Sequence, residues 1–360
     1  MAATGSPARA NRDQAMQPVG GPAVWSAAEM AARDDWLYRL SAEDLGELEA
    51  AAADFEASGR DLLEMRRELF PLPSFGARLH RFRAEILDGR GFVQLRGLPV
   101  ARYDRRQAAT VFLGIGAHLG DEMASQNAKG HVLGHVRDIG QSRRDPDQRG
   151  PYSRERIPFH VDCCDIVGLL CLQPAKAGGE SSIASSGHIY NTLLARRPEL
   201  IAPLTRPVYR DRRGEIPPGK EPWYAIPVFS RDGDLLSTSI EPTYIGSVAR
   251  HFDKEPNDDA QREGVAAVQA LAEELHLDIA FEQGDMQFLH NHTIMHSRQG
   301  FEDFPEPDRH RHLLRLWLLN HDGRPLPAAY YERHGAPDSV RRPGGIVGPD
   351  TVLHCPLEPA

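Results

Sequence analysis

From residue 165 onward the chain is a succession of short apolar runs, each too short for a helix and most closed by turn formers. DIVGLLCL (165–172), WYAIPVF (223–229), DMQFL (285–289) and HLLRLWLL (312–319) are separated by Pro174, Gly178-Gly179, Asp232-Gly233 and Gly284-Asp285. Runs of this length with such boundaries read as strands, and their order fits packed antiparallel sheets better than alternating βαβ units. One helix interrupts the series, opened by Asp258-Asp259 and carrying Val265, Val268, Leu271, Ala272 and Leu275 on one side. The order predicts a mainly β chain with flanking helices (α+β), folded as a two-sheet jelly-roll barrel.

The first third differs. Residues 1–22 are rich in Ala, Gly, Pro and Arg without periodicity, which predicts a flexible leader. Ser41 opens a capping pattern followed by Leu45, Leu48, Ala52 and Phe55 at helical spacing, with Gly59 as the stop. GFVQLRG (91–97) is strand-like, and Ala108, Val111, Phe112, Ile115 and Leu119 predict a helix closed by Gly120. Gly114 and Gly116 lie inside that helical pattern instead of opening it after a strand, so they do not form a dinucleotide-binding loop. The expected division is a leader (1–22), a helical extension (23–80), the barrel domain (81–335) and a tail (336–360).

Charge narrows the function classes. With 42 Lys+Arg against 51 Asp+Glu, the net charge of -9 argues against a surface that holds nucleic-acid phosphates. No apolar run approaches the roughly 18 residues that span a bilayer, and the N-terminus lacks the apolar core of a secretory signal. Four cysteines without a CxxC pair fit a reduced, cytoplasmic protein. The expected partner is a small-molecule substrate, with neither nucleic acid nor membrane; a homo-oligomer is left open.

The chemistry is concentrated in two segments. In PFHVDCCD, His160 and Asp162 lie two apart, so on an extended chain both point to one face and can meet one ion. Two histidines and one carboxylate, with three coordination positions open, form the facial triad of non-haem iron(II) oxygenases. LHNHTIMHSR offers the second histidine: His290, His292 and His296 share one face if the strand is continuous. At about 3.3 Å per residue, His292 and His296 are too far apart to bind one ion. His296 is the chosen ligand because it ends the segment, where a strand presents its last side chain at a barrel mouth. Hydrogen-bonded or exposed histidine is the simpler role for His290 and His292; Cys164 shares the face of His160 and Asp162 if that strand runs straight, with a buried thiol as its simpler role.

In HRHLLRLWLL, Arg315 is embedded among leucines and Trp317. A guanidinium there is costly to bury without an anion. A salt bridge is the structural explanation; a bidentate pair with a ligand carboxylate, deeper in the barrel than His296, is the functional one.

GFVQLRG, FHVDCCD, Gly178-Gly179-Glu180-Ser181, NHTIMHSR and RHLLRLWL, in that order over roughly residues 90–320, resemble the TauD/TfdA-like family of iron(II)/2-oxoglutarate oxygenases. The resemblance implies a double-stranded β-helix with helices outside, and Fe(II), 2-oxoglutarate and O2 as cofactor and co-substrates. It implies release of succinate and CO2 while a C–H bond of a small, anionic substrate is oxidised, most simply to an alcohol. His160, Asp162 and His296 match the family's iron ligands. Arg315 matches the arginine for the distal carboxylate of 2-oxoglutarate, Ser181 a hydroxyl that also bonds it, and Arg311 a second basic residue nearby. A carboxylate at Asp162 argues against the halogenase variant. For the substrate, Arg298, Asn127, Gln126 and Arg156 are candidates near the motif strands. A zinc hydrolase would use the histidine-rich 290–296 segment but leaves Arg315 unexplained; a non-catalytic binding barrel is the remaining alternative.

Overall fold

The computed structural model describes residues 16–140, 152–333 and 342–359. Its centre is a pair of sheets. The larger, seven-stranded sheet runs Leu37–Arg39, Phe92–Arg96, Met286–His290, Ile166–Gln173, His312–Leu319 and Glu122–Met123, with Gly134–Val136 also paired to His312–Leu319. The four-stranded sheet runs Leu277–Ile279, Ser181–Ser185, Ile294–Arg298 and Ile157–His160. Two facing sheets with helices outside are the expected α+β jelly-roll arrangement. Their hydrogen-bonded ladders stay separate instead of closing into one barrel.

Alternation along His312–Leu319 shows how the layers are built. Leu314, Leu316 and Leu318 point outward into a core shared with the helices Ala42–Ala57, Phe75–Leu87 and Arg105–Leu119. Each such side chain contributes about 1.5–3 kcal/mol on burial. Leu313, Arg315 and Trp317 take the opposite parity and line the cavity between the sheets. On the far side, Phe159, Ala184 and Met295 pack under the helices Ser186–Arg196 and Asp259–Leu275.

Local signals did their expected work. Ser41 caps Ala42–Ala57 in a capping box with Asp44, and Gly120 ends Arg105–Leu119. The run 223–229 is two strands, Trp223–Ile226 and Phe229–Asp232, since Pro227 cannot donate to a ladder. Of the expected leader, residues 1–15 lie outside the described residues; Val19 is buried and bonds Asn191 through both its N–H and its carbonyl. The expected tail is described from residue 342, and Arg342 reaches the buried Asp165.

Gly114 and Gly116 lie mid-helix for packing reasons. A Cβ on Gly114 would sit 2.5 Å from the Phe70 ring, and one on Gly116 would sit 2.9 Å from Leu316 Cδ1. Gly114→Ala would favour an isolated helix by about 1 kcal/mol. In this protein it is expected to destabilise by about 1–3 kcal/mol through overpacking, read as a lower urea midpoint.

Candidate metal and co-substrate site

The cavity between the sheets gathers residues far apart in sequence. His160 ends one strand of the smaller sheet and is paired in register with His296 on the next. Asp162 follows two residues on, its N–H held by Asn291 Oδ1 at 2.9 Å. The ligand atoms of His160, Asp162 and His296 lie within 4.8 Å of one another. His160 Nε2 is 3.9 Å from Asp162 Oδ1, and His296 Nε2 is 3.7 Å from Asp162 Oδ2.

Their protonation suits metal binding. His160 Nδ1 lies 2.9 Å from the Pro158 carbonyl, which can only accept, so Nδ1 carries the proton and Nε2 directs a lone pair at the cluster. Burial, and then His296, push the His160 imidazole down to about 3, the neutral form a metal requires. Burial alone would raise Asp162; the Arg315 guanidinium and then His296 outweigh it and hold the carboxyl well below the usual carboxylate range. Trp317 Nε1 donates to Asp162 Oδ2 at 3.0 Å, which orients the carboxylate. Parity with Arg315 places Trp317 on this face, a signal the sequence reading left unused.

His290 and His292 are elsewhere, because the expected continuous strand breaks. Met286–His290 belongs to the larger sheet and Ile294–Arg298 to the smaller; residues 291–293 carry the chain between them. Cys164 also leaves the predicted face: its strand ends at His160, and its thiol donates to the Ile166 carbonyl. His290 and His292 cluster instead with Asp165, again within 4.8 Å. That second cluster already holds a cation. Asp165 accepts from Arg342, from His292 Nε2 at 2.9 Å and from Asn320 N–H at 2.9 Å. Burial would raise its pKa, but the bonds from His292 and Arg342 outweigh burial and keep it ionised. It is a structural ion pair tying residue 342 to the barrel. Asp165→Ala is expected to cost about 3 kcal/mol by stranding a buried guanidinium, read by chemical denaturation, with iron affinity of the folded protein retained.

Two arginines face the cavity, Arg315 from the strand His312–Leu319 and Arg311 from the residue just before it. Arg315 lies beside the triad instead of deeper in the barrel: its Nη1 is 3.7 Å from Asp162 Oδ2, and it stacks on Trp317. Gln126 fixes it by accepting from Nε at 2.7 Å while donating to the Arg315 carbonyl. Arg311, four residues earlier, lies about 13 Å along the chain. It is buried, its Nη1 has no hydrogen-bond partner, and among the described residues no carboxylate is within ion-pair reach. Burial pushes it down to about 10. Gly179, at φ 78°, gives it room, since a Cβ there would lie 2.9 Å from Arg311 Nε. Ser181 lines the same cavity and donates to Gln287.

The substrate candidates separate. Arg298 lines the cavity, held by the carbonyls of Ser153 and Glu155. Arg156 does not: it precedes the strand Ile157–His160 and pairs with Glu273 at the surface. Gln126 is occupied by Arg315, and Asn127 Oδ1 accepts from His131 N–H. Arg213, Glu241, Tyr244 and Arg333, all missed in the sequence, line the cavity opposite.

A family model described as taurine catabolism dioxygenase TauD, TfdA family matches residues 58–317. FR-33289 synthase of Streptomyces rubellomurinus is 32% identical over 320 residues, 87% of this chain and 94% of that protein. The taurine hydroxylase-like protein SAT17 of Stachybotrys chartarum is 32% identical over 301 residues, 81% and 77% of the two chains. Among solved structures, asparagine oxygenase with Fe(II), 2S,3S-3-hydroxyasparagine and succinate superposes with a TM-score of 0.62 at 17% identity, covering 87% of this chain and 99% of the other. The non-haem iron oxygenase OrfP with Fe, succinate and (3S)-hydroxy-L-Arg gives 0.61 at 15%, covering 86% and 99%. At those identities the structural likeness speaks for the fold.

Proposed function

The chain belongs to the taurine catabolism dioxygenase TauD, TfdA family, and on that premise we propose that its iron(II) is held by His160, Asp162 and His296. It is an iron(II)- and 2-oxoglutarate-dependent oxygenase acting on a small molecule. Iron(II), when bound, supplies dioxygen activation coupled to oxidative decarboxylation of 2-oxoglutarate to succinate and CO2, with oxidation of a substrate C–H bond.

The observation that carries the assignment is the triad itself: two imidazoles and one ionised carboxylate converge, with Arg315 3.7 Å to one side of Asp162, whereas the Asp165 carboxylate is filled by direct hydrogen bonds from Arg342. We reverse the roles expected for the two arginines. A carboxylate gripped by Arg315 would touch the metal's own ligands, so it cannot be the far end of a chelated dicarboxylate. Arg311, with an unpartnered buried Nη1 beside Ser181, supplies the distal anchor. Arg315 orients Asp162 and faces whatever anionic group lies next to the metal. The leucines and Trp317 around it keep water from the reacting groups.

Hydroxylation is the reading closest to the neighbours, whose structures hold hydroxylated asparagine and arginine. The substrate is anionic, with Arg298 on its path, and the protein is cytoplasmic, in keeping with cysteines that form no disulfide. The test is succinate release from 2-oxoglutarate by the full chain with added iron(II) in air, across panels of amino acids, sulfonates and carboxylates. Substrate-dependent succinate is the expected result. Turnover with zinc alone, or none with iron, would contradict the assignment.

A further inference from the structure

Away from the triad, three guanidiniums surround one tyrosine. Arg210, Arg212 and Arg333 stand 5.9, 5.0 and 5.2 Å from the centroid of the Tyr224 ring. All three are buried, Arg210 completely. Among the described residues one carboxylate lies in ion-pair reach of them: Glu241, which Arg333 contacts through Oε1 and Arg210 reaches at 3.2 Å through Oε2. Arg210 otherwise donates to the carbonyls of Ile226 and Ser239, and Arg212 to those of Glu221 and Arg333. Arg333 and Arg210 share Glu241, whereas Arg212 has no carboxylate in ion-pair reach among the described residues and is held by backbone carbonyls and the Tyr224 ring, with Glu215 on the wall of the same cleft. Burial pushes Arg210 and Arg212 down from the ordinary guanidinium range, whereas around Arg333 Cys163 and Glu241 outweigh burial and push it up.

The excess charge faces open space. Arg333, Tyr244 and Cys163 line the main cavity and also a smaller adjoining cleft, and that cleft exposes Arg212 and Tyr224. Cys163 follows Asp162 directly, so the cleft opens one residue from the triad. The turn that divides the arginines between the two spaces is strained. Arg213 has φ 50°, the one non-glycine positive φ among the described residues, fixed by its N–H to Asp211 Oδ1 at 2.8 Å. Such a conformation is unfavourable for a residue with a Cβ and persists where the surroundings impose it. Here it sends Arg212 to the cleft and Arg213 over Tyr244 in the main cavity.

We propose that Arg212 and Arg333 form an oxyanion subsite that holds the anionic end of the primary substrate, a carboxylate, sulfonate or phosphoryl group, while the carbon to be oxidised lies at the triad. The inference rests on the oxygenase reading of the adjoining cavity. Planar guanidinium forks suit such groups, and a bound oxyanion brings the local charge closer to balance. Arg210, with its donors on backbone carbonyls and Glu241, holds the subsite in place.

Calorimetric titration of acetate, sulfate and inorganic phosphate into the full chain tests this, with anaerobic titration of iron(II) and 2-oxoglutarate in parallel. Wild type should bind at least one of the three anions; Arg212→Gln and Arg333→Gln should weaken that binding by roughly tenfold or more. Arg212→Lys should retain part of it, since an ammonium keeps the charge and loses the fork. Affinity for 2-oxoglutarate should stay within about twofold throughout. Melting curves identify folded variants, and Arg212→Lys against wild type decides if the glutamine variants do not fold. Wild type that binds none of the anions, or folded variants that bind them as wild type does, would overturn the subsite. A matching loss of 2-oxoglutarate affinity would also overturn it, because these arginines would then serve the co-substrate. Failure of wild type to bind iron(II) and 2-oxoglutarate at all would instead strike the oxygenase reading.

Discussion

Arg311→Met is expected to weaken 2-oxoglutarate binding to the anaerobic, iron-loaded protein by roughly 30-fold to several thousand-fold. Truncation leaves a buried carboxylate without its bidentate partner, a loss of about 2–5 kcal/mol, and each 1.4 kcal/mol is tenfold. Arg311 faces the cavity with a buried Nη1 that has no hydrogen-bond partner, while its Nη2 donates to the Gly179 carbonyl, and no carboxylate among the described residues is in ion-pair reach of it. Removing it therefore strands no protein carboxylate, and the fold should tolerate methionine. Arg311→Lys should recover only part of the loss, because an ammonium does not reproduce the planar fork. Arg315→Met should act differently. Its Nη1 stands 3.7 Å from Asp162 Oδ2, so its loss should perturb the metal's carboxylate and iron affinity along with 2-oxoglutarate. Calorimetry on both variants separates the roles. Unchanged affinity in a folded Arg311→Met protein, with 2-oxoglutarate alone lost in Arg315→Met, would restore the assignment first expected from sequence.

That reversal shows where sequence was informative and where it was not. The helix after Ser41 and the alternation of His312–Leu319 are local patterns, governed by capping and by strand parity, and both appear as expected. His160, Asp162 and His296 could be found because two of them are near neighbours and the third lies on a strand that pairs with the first. His290 and His292 are not metal ligands of the triad, as expected, but the shared face expected for them with His296 fails because the strand is not continuous. Nothing local in Asn291-His292-Thr293 states that the chain changes sheets there, yet that crossing sends the two histidines to Asp165. Depth was equally hidden: which of Arg311 and Arg315 stands nearer the metal depends on where Asp162 turns after its strand. The arginines around Tyr224 are contributed from positions 210, 212 and 333, and only the fold brings them to one ring.

The central claim is the identity of the metal triad, and iron(II) titration under anaerobic conditions tests it most directly. Wild type should take up one iron(II) per chain. His160→Ala, Asp162→Ala and His296→Ala should each weaken binding by roughly 100-fold or more, since removing a ligand should exceed the 10–100-fold typical of losing a group that merely orients one. The panel includes His292→Ala, which alters the second histidine–carboxylate cluster, and melting curves confirm that each variant is folded. Near-wild-type iron affinity in His292→Ala, with loss in the three triad variants, is the predicted result. Iron retained by folded His160→Ala and His296→Ala proteins but lost from His292→Ala would contradict it and move the metal to Asp165.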